Sequence, residues 1–258
     1  MGHGQRRKVA LVTGGAHGIG RAVVEKLARR DLTVVVADRD EDAGTRVAQG
    51  VEGRFVPTDV RVPADVERAV AVADGLGRLV FVNLGAGLAR ASSDPLTVPD
   101  AAFDQMWQVN VGGVWNGVRA SVPALSGAAA GAPGRIVVTA SLAGLATWPD
   151  DPLYTATKHA VVGLVRALAP ALERRRVVLS AICPGFVDTG LVPDRYRAGG
   201  YPLLSARQVA DLAVADHEPG GLYVLQPGGE PLAYRHRGVP GARDADGTVA
   251  LPPRLEEP

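Results

Sequence analysis

Lys8-Val9-Ala10-Leu11-Val12 runs directly into Thr13-Gly14-Gly15-Ala16-His17-Gly18-Ile19-Gly20, and a helical pattern continues from there through Arg29. The first five residues have the apolar, β-rich character of a buried strand, and the glycines that follow mark a turn opening into a helix. That order places backbone N–H groups and the positive end of a helix where a pyrophosphate can sit. The spacing of Gly14, Gly18 and Gly20 is G-x-x-x-G-x-G rather than G-x-G-x-x-G, and the flanking strand and helix supply the context that a glycine pattern alone lacks. A second strand, Thr33-Val34-Val35-Val36-Ala37, ends at Asp38, eighteen residues after Gly20. A carboxylate there accepts hydrogen bonds from an adenine ribose.

Outward from this unit, strands are expected near 8–13, 33–38, 53–57, 78–84, 134–140, 177–183 and 221–226, separated mostly by helical stretches. Continuous apolar runs such as Leu79-Val80-Phe81-Val82 suit a parallel sheet covered on both faces. With right-handed crossovers the result is an α/β fold, a doubly wound parallel seven-stranded sheet of the Rossmann type in three αβα layers, with ligands over the carboxyl ends of the strands. One domain spans 1–235, with a lid near 190–204, where Pro193, Gly199, Gly200 and Pro202 break regular structure. Residues 236–258 read as a flexible tail, and Ala128 to Gly134 as a small-residue spacer.

Bulk properties narrow the function classes. The 258 residues are 47% hydrophobic without an apolar run of about eighteen, which argues against a membrane span. The net charge of +1, from 28 basic and 27 acidic side chains, gives no electrostatic reason to expect nucleic acid or anionic lipid as partner. Cys183 is the one cysteine, so no internal disulfide forms, and the polar start through Arg7 has no apolar signal region. A cytoplasmic protein is expected. No metal site is expected either.

The chemistry lies further along. Tyr154 and Lys158 stand four apart in a helical, largely apolar stretch, and Ser141 lies thirteen residues before Tyr154, after the run Ile136-Val137-Val138. Residues i and i+4 share a helix face, so the ammonium can stand beside the phenol. Unit charges about 4 Å apart at an effective dielectric of about 20 interact by about 4 kcal/mol, enough to bring a phenol down about three pKa units. Lysine is scarce, with only Lys8, Lys26 and Lys158 against 25 arginines, so Lys158 is not a residue interchangeable with Arg.

Together these motifs resemble the short-chain dehydrogenase/reductase family in its simple single-domain form, over about Lys8 to Gly228. The resemblance implies catalytic roles for Ser141, Tyr154, Lys158 and Asn110, the last bending a helix and holding a water near the lysine. It implies cofactor contacts from Gly14, Ala16, His17, Gly18, Ile19 and Gly20, then from Asp38 and Arg39, and from Asp59 and Val60 at the adenine. It also implies contacts from Asn83 and Gly85, at the end of the fourth strand, and from Tyr154 and Lys158. Pro184, Gly185, Val187 and Thr189 meet the nicotinamide, with Thr189 bonding its carboxamide. The family's N-N-A-G appears here as Asn83-Leu84-Gly85-Ala86-Gly87, the V-D-G-G ending is replaced by Val224-Leu225-Gln226-Pro227-Gly228-Gly229, and Pro170 should kink or end its helix. In relatives that helix packs between subunits, and a homodimer or homotetramer is expected.

The expected reaction interconverts a secondary alcohol and a ketone with a nicotinamide cofactor. NAD is favoured over NADP because the Asp38 carboxylate would repel a 2′-phosphate, with His17 and Arg39 as the residues that could reverse the choice. Substrate would lie against Ser141, Leu142, Trp148, Leu153 and Phe186, with Tyr196 and Tyr201 adding aromatic surface from the lid, which suits an apolar, cyclic or aromatic molecule. A non-redox relative of the same fold, an epimerase or dehydratase, and a non-catalytic dinucleotide sensor are the rival readings, since fold alone excludes neither.

Overall fold

The computed structural model describes residues 6–92, 94–126 and 132–235; the expected tail at 236–258 and the greater part of the 128–134 spacer lie outside the described residues. The strands are β1 (Lys8–Thr13), β2 (Thr33–Asp38), β3 (Arg54–Pro57), β4 (Arg78–Leu84), β5 (Gly134–Thr139), β6 (Val177–Pro184), β7 (Leu222–Leu225) and β8 (Leu232–Tyr234). The helices are α1 (Gly18–Ala28), α2 (Glu41–Gly50), α3 (Pro63–Leu76), α4 (Asp100–Trp107), α5 (Gly113–Ser126), α6 (Pro152–Glu173), α7 (Asp194–Ala198) and α8 (Ala206–Val214).

The strands form one sheet in the order β3-β2-β1-β4-β5-β6-β7-β8. Neighbours are parallel from β3 through β7, and each of these seven strands begins and ends within one residue of its expected position. The sheet has an eighth strand that the sequence reading did not expect: β8 turns back antiparallel to β7. Gly228, with φ of 73°, allows the reversal, and Leu232 and Ala233 are exposed, so no buried alternation announced the strand.

Alternate residues of β1 serve opposite layers, as its unbroken apolar run requires. Val9 and Leu11 belong to the core that includes α3, α5 and α6, whereas Ala10 and Val12 belong to the core that includes α1, α2 and α8. This is the expected three-layer arrangement. Pro170 does not end α6, which runs on to Glu173. The proline falls in the last turn, where a single missing amide bond leaves only a few residues to hold. None of the described helices is long and apolar enough to cross a membrane.

Between α4 and α5 the chain widens into a π-helical turn over Gln108–Gly112, with Asn110 fully buried within it. A π-turn swings one residue out of the helical register, and here it delivers an amide into the interior.

Candidate active site

A cavity of about 510 Å³ opens over the carboxyl ends of the strands, on both sides of the point where β1 and β4 run side by side and the chain order reverses. One end is the glycine turn. Gly14 and Gly18 have φ of 68° and 48°, a region disfavoured for residues with a Cβ. A Cβ on Gly14 would lie 2.8 Å from the Ala86 backbone, and one on Gly20 would lie 2.0 Å from the Gly14 carbonyl oxygen. The glycines therefore let the start of α1 press against the turn. His17 sits at the N-cap of α1 with no side-chain cap, so no capping side chain takes up the amides of the first turn, and Gly18, Ile19 and Gly20 line the cavity. That donor set, with its positive helix end, fits a dinucleotide pyrophosphate.

The departures from N-N-A-G are absorbed by neighbours. A Cβ on Gly85 would come within 2.9 Å of the Thr13 carbonyl, so the glycine is needed one position earlier than usual. Leu84 fills the space over Gly117, where a Cβ would lie 2.4 Å from its methyl group. Asn83 stays inside the sheet, donating to the Val137 carbonyl (3.0 Å) and to Thr139 Oγ1 (3.3 Å). It does not reach the cavity.

Where β2 ends, Asp38 is fixed from two directions. Its Oδ2 accepts from the Ala16 N–H and its Oδ1 from the Asp40 N–H, both at 3.0 Å. His17 is an exposed side chain paired with Asp40 (Nε2 to Oδ2, 2.9 Å), and that pairing, after the Ala43 N–H, helps hold Asp40 below the ordinary carboxylate range. Asp59 accepts from Arg61 at both carboxylate oxygens, and this contact depresses its pKa. Arg61 thus enters the cavity wall beside Asp59 and Val60, a residue the sequence reading did not name.

Ser141, Tyr154 and Lys158 converge at the other end. β5 stops at Thr139, and Ser141 opens the next turn with its Oγ accepting from the Ala143 N–H (3.1 Å). Asp151 caps α6 through Oδ1 and the Tyr154 N–H (2.9 Å), while its Oδ2 accepts from the Arg90 N–H of the loop after β4 (2.5 Å). Tyr154 and Lys158 are buried one helical turn apart, with Lys158 Nζ 5.4 Å from the Tyr154 ring centre and donating to the Thr139 carbonyl (2.9 Å). Asn110 accepts from the Leu88 N–H (2.8 Å) and donates to the Leu88 carbonyl (2.9 Å) and Thr157 Oγ1 (3.0 Å), tying the loop after β4 to α6.

The electrostatics correct one expectation. Burial pushes the Tyr154 phenol up to about 12, against the opposing hydrogen bond of Ser141, and pushes Lys158 down to about 8. Desolvation of the charged form is the leading cause of both shifts, and Lys158 is not among the groups that lower the phenol.

Of the expected nicotinamide contacts, Pro184, Gly185, Val187 and Thr189 all line the cavity, as do Leu142, Trp148, Phe186 and Tyr201 on the substrate side. Thr189 stands against the turn, its Cγ2 3.0 Å from where a Cβ on Gly18 would be. Ala16, Asn110, Leu153 and Tyr196 do not line the cavity. Leu153, one residue before Tyr154, is turned about 100° around α6 and packs with Met106 and Ala143 instead. The reading also missed Asp151; Asp-Pro ahead of a helical run is the cap signal that could have found it.

A glycine turn suited to a dinucleotide and a Ser-Tyr-Lys group in one cavity, its tyrosine and lysine buried, fit a nicotinamide-dependent oxidoreductase. The short chain dehydrogenase family pattern matches residues 8–198, and the chain belongs to that family. It is 35% identical over 219 residues to (-)-trans-carveol dehydrogenase of Rhodococcus erythropolis, covering 77% of this chain and 76% of that one. It is 36% identical over 191 residues to cis-2,3-dihydrobiphenyl-2,3-diol dehydrogenase of Pseudomonas sp. (strain KKS102), covering 71% and 67%. Among solved structures, 3-ketoacyl-(acyl-carrier-protein) reductase from Brucella melitensis complexed with NADH superposes with a TM-score of 0.78 at 28% identity, covering 85% of this chain and 96% of that one. The protein is an NAD(P)-dependent enzyme that interconverts a secondary alcohol and a ketone.

Proposed function

We propose that the substrate is an apolar cyclic alcohol or the corresponding ketone, that NAD is the preferred cofactor, and that Ser141, Tyr154, Lys158 and Asn110 carry the reaction. The observation that carries the reading is the convergence of Ser141 and Tyr154 on one cavity whose far end is the glycine turn. In oxidation the Tyr154 oxygen takes the alcohol proton while Ser141 donates to the same substrate oxygen. When bound, the nicotinamide supplies the hydride acceptor and a positive charge. That charge favours the ionised form of a phenol that starts from about 12. Two of the three ammonium hydrogens remain for a nicotinamide ribose after the bond to Thr139.

A proton outlet is supported beside Gly87. The point a side chain there would occupy lies 3.5 Å from Asn110 Oδ1 and 3.7 Å from Lys158 Nζ, a small polar space suited to a relay water. Trp148, Phe186, Leu191 and Tyr201 give the substrate end an apolar and aromatic wall, and two similar proteins are named for carveol and dihydrobiphenyl-diol. The segment 190–204 serves as the lid. Its ends are tied by the bridge between Val187 and Leu204.

The NAD preference is supported by the fixed Asp38 carboxylate in the cavity wall, which would repel a 2′-phosphate brought near it, and by the NADH in the reductase structure above. Asp38→Ser should narrow or reverse the preference by removing that repulsion, read as dissociation constants for both cofactors; tighter binding of NADP by the unaltered protein would give the deciding weight to Arg39 and Arg61. A homodimer or homotetramer in the cytoplasm completes the proposal. Phe103, Trp107 and Trp115, each about two-fifths exposed along α4 and α5, are the surface that supports association. The main test is nicotinamide absorbance with a panel of cyclic secondary alcohols, comparing the unaltered enzyme with Tyr154→Phe. Turnover should vanish in the variant while cofactor affinity stays nearly intact, and a well-folded variant that still turns over would remove Tyr154 from the mechanism.

A further inference from the structure

The wall beside the reacting groups is held by atoms that do not touch the cavity. Tyr196, on α7, lies behind Phe186 with ring centres 4.6 Å apart. Its hydroxyl accepts from the Trp148 indole N–H (2.9 Å) and donates to Asp150 Oδ2 (2.7 Å). Asp150 comes from the turn leading into α6, and its backbone carbonyl accepts from the Ser92 N–H of the loop after β4 (3.0 Å). Trp148 stands edge-on to Tyr154 (ring centres 5.7 Å, 90°) and to Phe186 (5.3 Å, 81°), and lines the cavity. A chain of hydrogen bonds thus runs from the lid helix through one phenol to the indole nearest the proposed proton-transfer residue.

Arg195 also donates to Asp150 Oδ2 (2.7 Å), but the pair is half exposed. Such pairs contribute little. The part-buried indole N–H, by contrast, has the Tyr196 hydroxyl as its acceptor, and that hydroxyl is given a fixed direction by the carboxylate.

We propose that Tyr196 and Asp150 are a specificity-determining positioning pair, which fixes the Trp148 ring and so limits the size of the alcohol admitted beside Tyr154. The pair acts through Trp148 and does not touch substrate. Its kinetic consequence rests on the redox reading above; its effect on the indole does not.

Tyr196→Phe keeps the ring and deletes the hydroxyl, and cyclohexanol and menthol serve as small and bulky probes. The Michaelis constant for cyclohexanol should rise about fivefold, the net worth of one hydrogen bond, with kcat and cofactor affinity within about twofold. The ratio of kcat/KM for menthol to that for cyclohexanol should increase. Tryptophan emission, taken as the difference from Trp148→Phe, should shift to the red, and the destabilisations of Trp148→Phe and Tyr196→Phe should be non-additive. Arg195→Ala should change neither selectivity nor emission. Should the unaltered enzyme oxidise neither alcohol, the substrate reading fails, and emission with the double-mutant cycle still decides the positioning pair. Unchanged emission together with additive destabilisation overturns it, as does an unchanged substrate ratio in an enzyme active on both alcohols.

Discussion

Burial acts on Tyr154 and Lys158 in opposite senses, and each sense has a measurable consequence. Because the phenol starts from about 12, oxidation of an alcohol should accelerate as pH rises from about 6 to about 10, while reduction, which uses the protonated phenol, should not. Initial rates in both directions test this; an oxidation rate flat over that range would mean that another group takes the proton. Burial pushes Lys158 from the ordinary 10.5 down to about 8, so between those values the unfolded chain binds more protons and stability rises with pH. Below 8 the full cost of the buried ammonium is present. Lys158→Met should therefore lose turnover and cofactor affinity, yet gain roughly 2 kcal/mol of stability near neutral pH, after allowing for the donor lost by the Thr139 carbonyl. Urea unfolding at about pH 7 and above 10.5 should find the gain only at the lower value. The spacing in sequence was enough to identify this pair, because i,i+4 geometry is local. It could not give the sign of the pKa shift, which depends on how much of the fold closes over both groups.

Among elements, α6 depends on its first turn. Asp151 satisfies the Tyr154 N–H and the Arg90 N–H at once, so α6 and the loop after β4 share one carboxylate. Asp151→Ala should cost roughly 2–3 kcal/mol, a helix cap plus a second amide left without its acceptor. It should also lower kcat about tenfold through displacement of Tyr154. Denaturation and steady-state kinetics check both; a loss of stability without loss of kcat would confine Asp151 to capping. The seven parallel strands and the glycine turn were legible because their signals are continuous apolar runs and turn residues. β8 was not, since a three-residue edge strand with two exposed side chains has no pattern to read. Pro170 misled for a related reason: its effect depends on how much helix remains beyond it. The link from Tyr196 to Trp148 spans 48 positions, and no local rule predicts such a contact.

For the molecule as a whole, β8 closes the β7 edge of the sheet, and Tyr234 packs against the larger core. Shortening the chain to end at Arg235 should leave turnover within about threefold, under about 1 kcal/mol in barrier. Ending it at Glu230 uncovers β7 and should lower the melting temperature and promote association through the bared edge. Scanning calorimetry and light scattering on both truncations separate the outcomes; loss of activity in the first, with its fold intact, would assign residues beyond 235 a part in the site. The middle of the same sheet holds Cys183, fully buried on β6 with its thiol raised to about 12. With no other cysteine in the chain, a thiol-labelling reagent can react only when the sheet opens around it. The rate of that labelling is an intrinsic clock for opening, and its slowing by added NAD or NADP would rank the two cofactors without turnover, without a known alcohol and without altering a single residue.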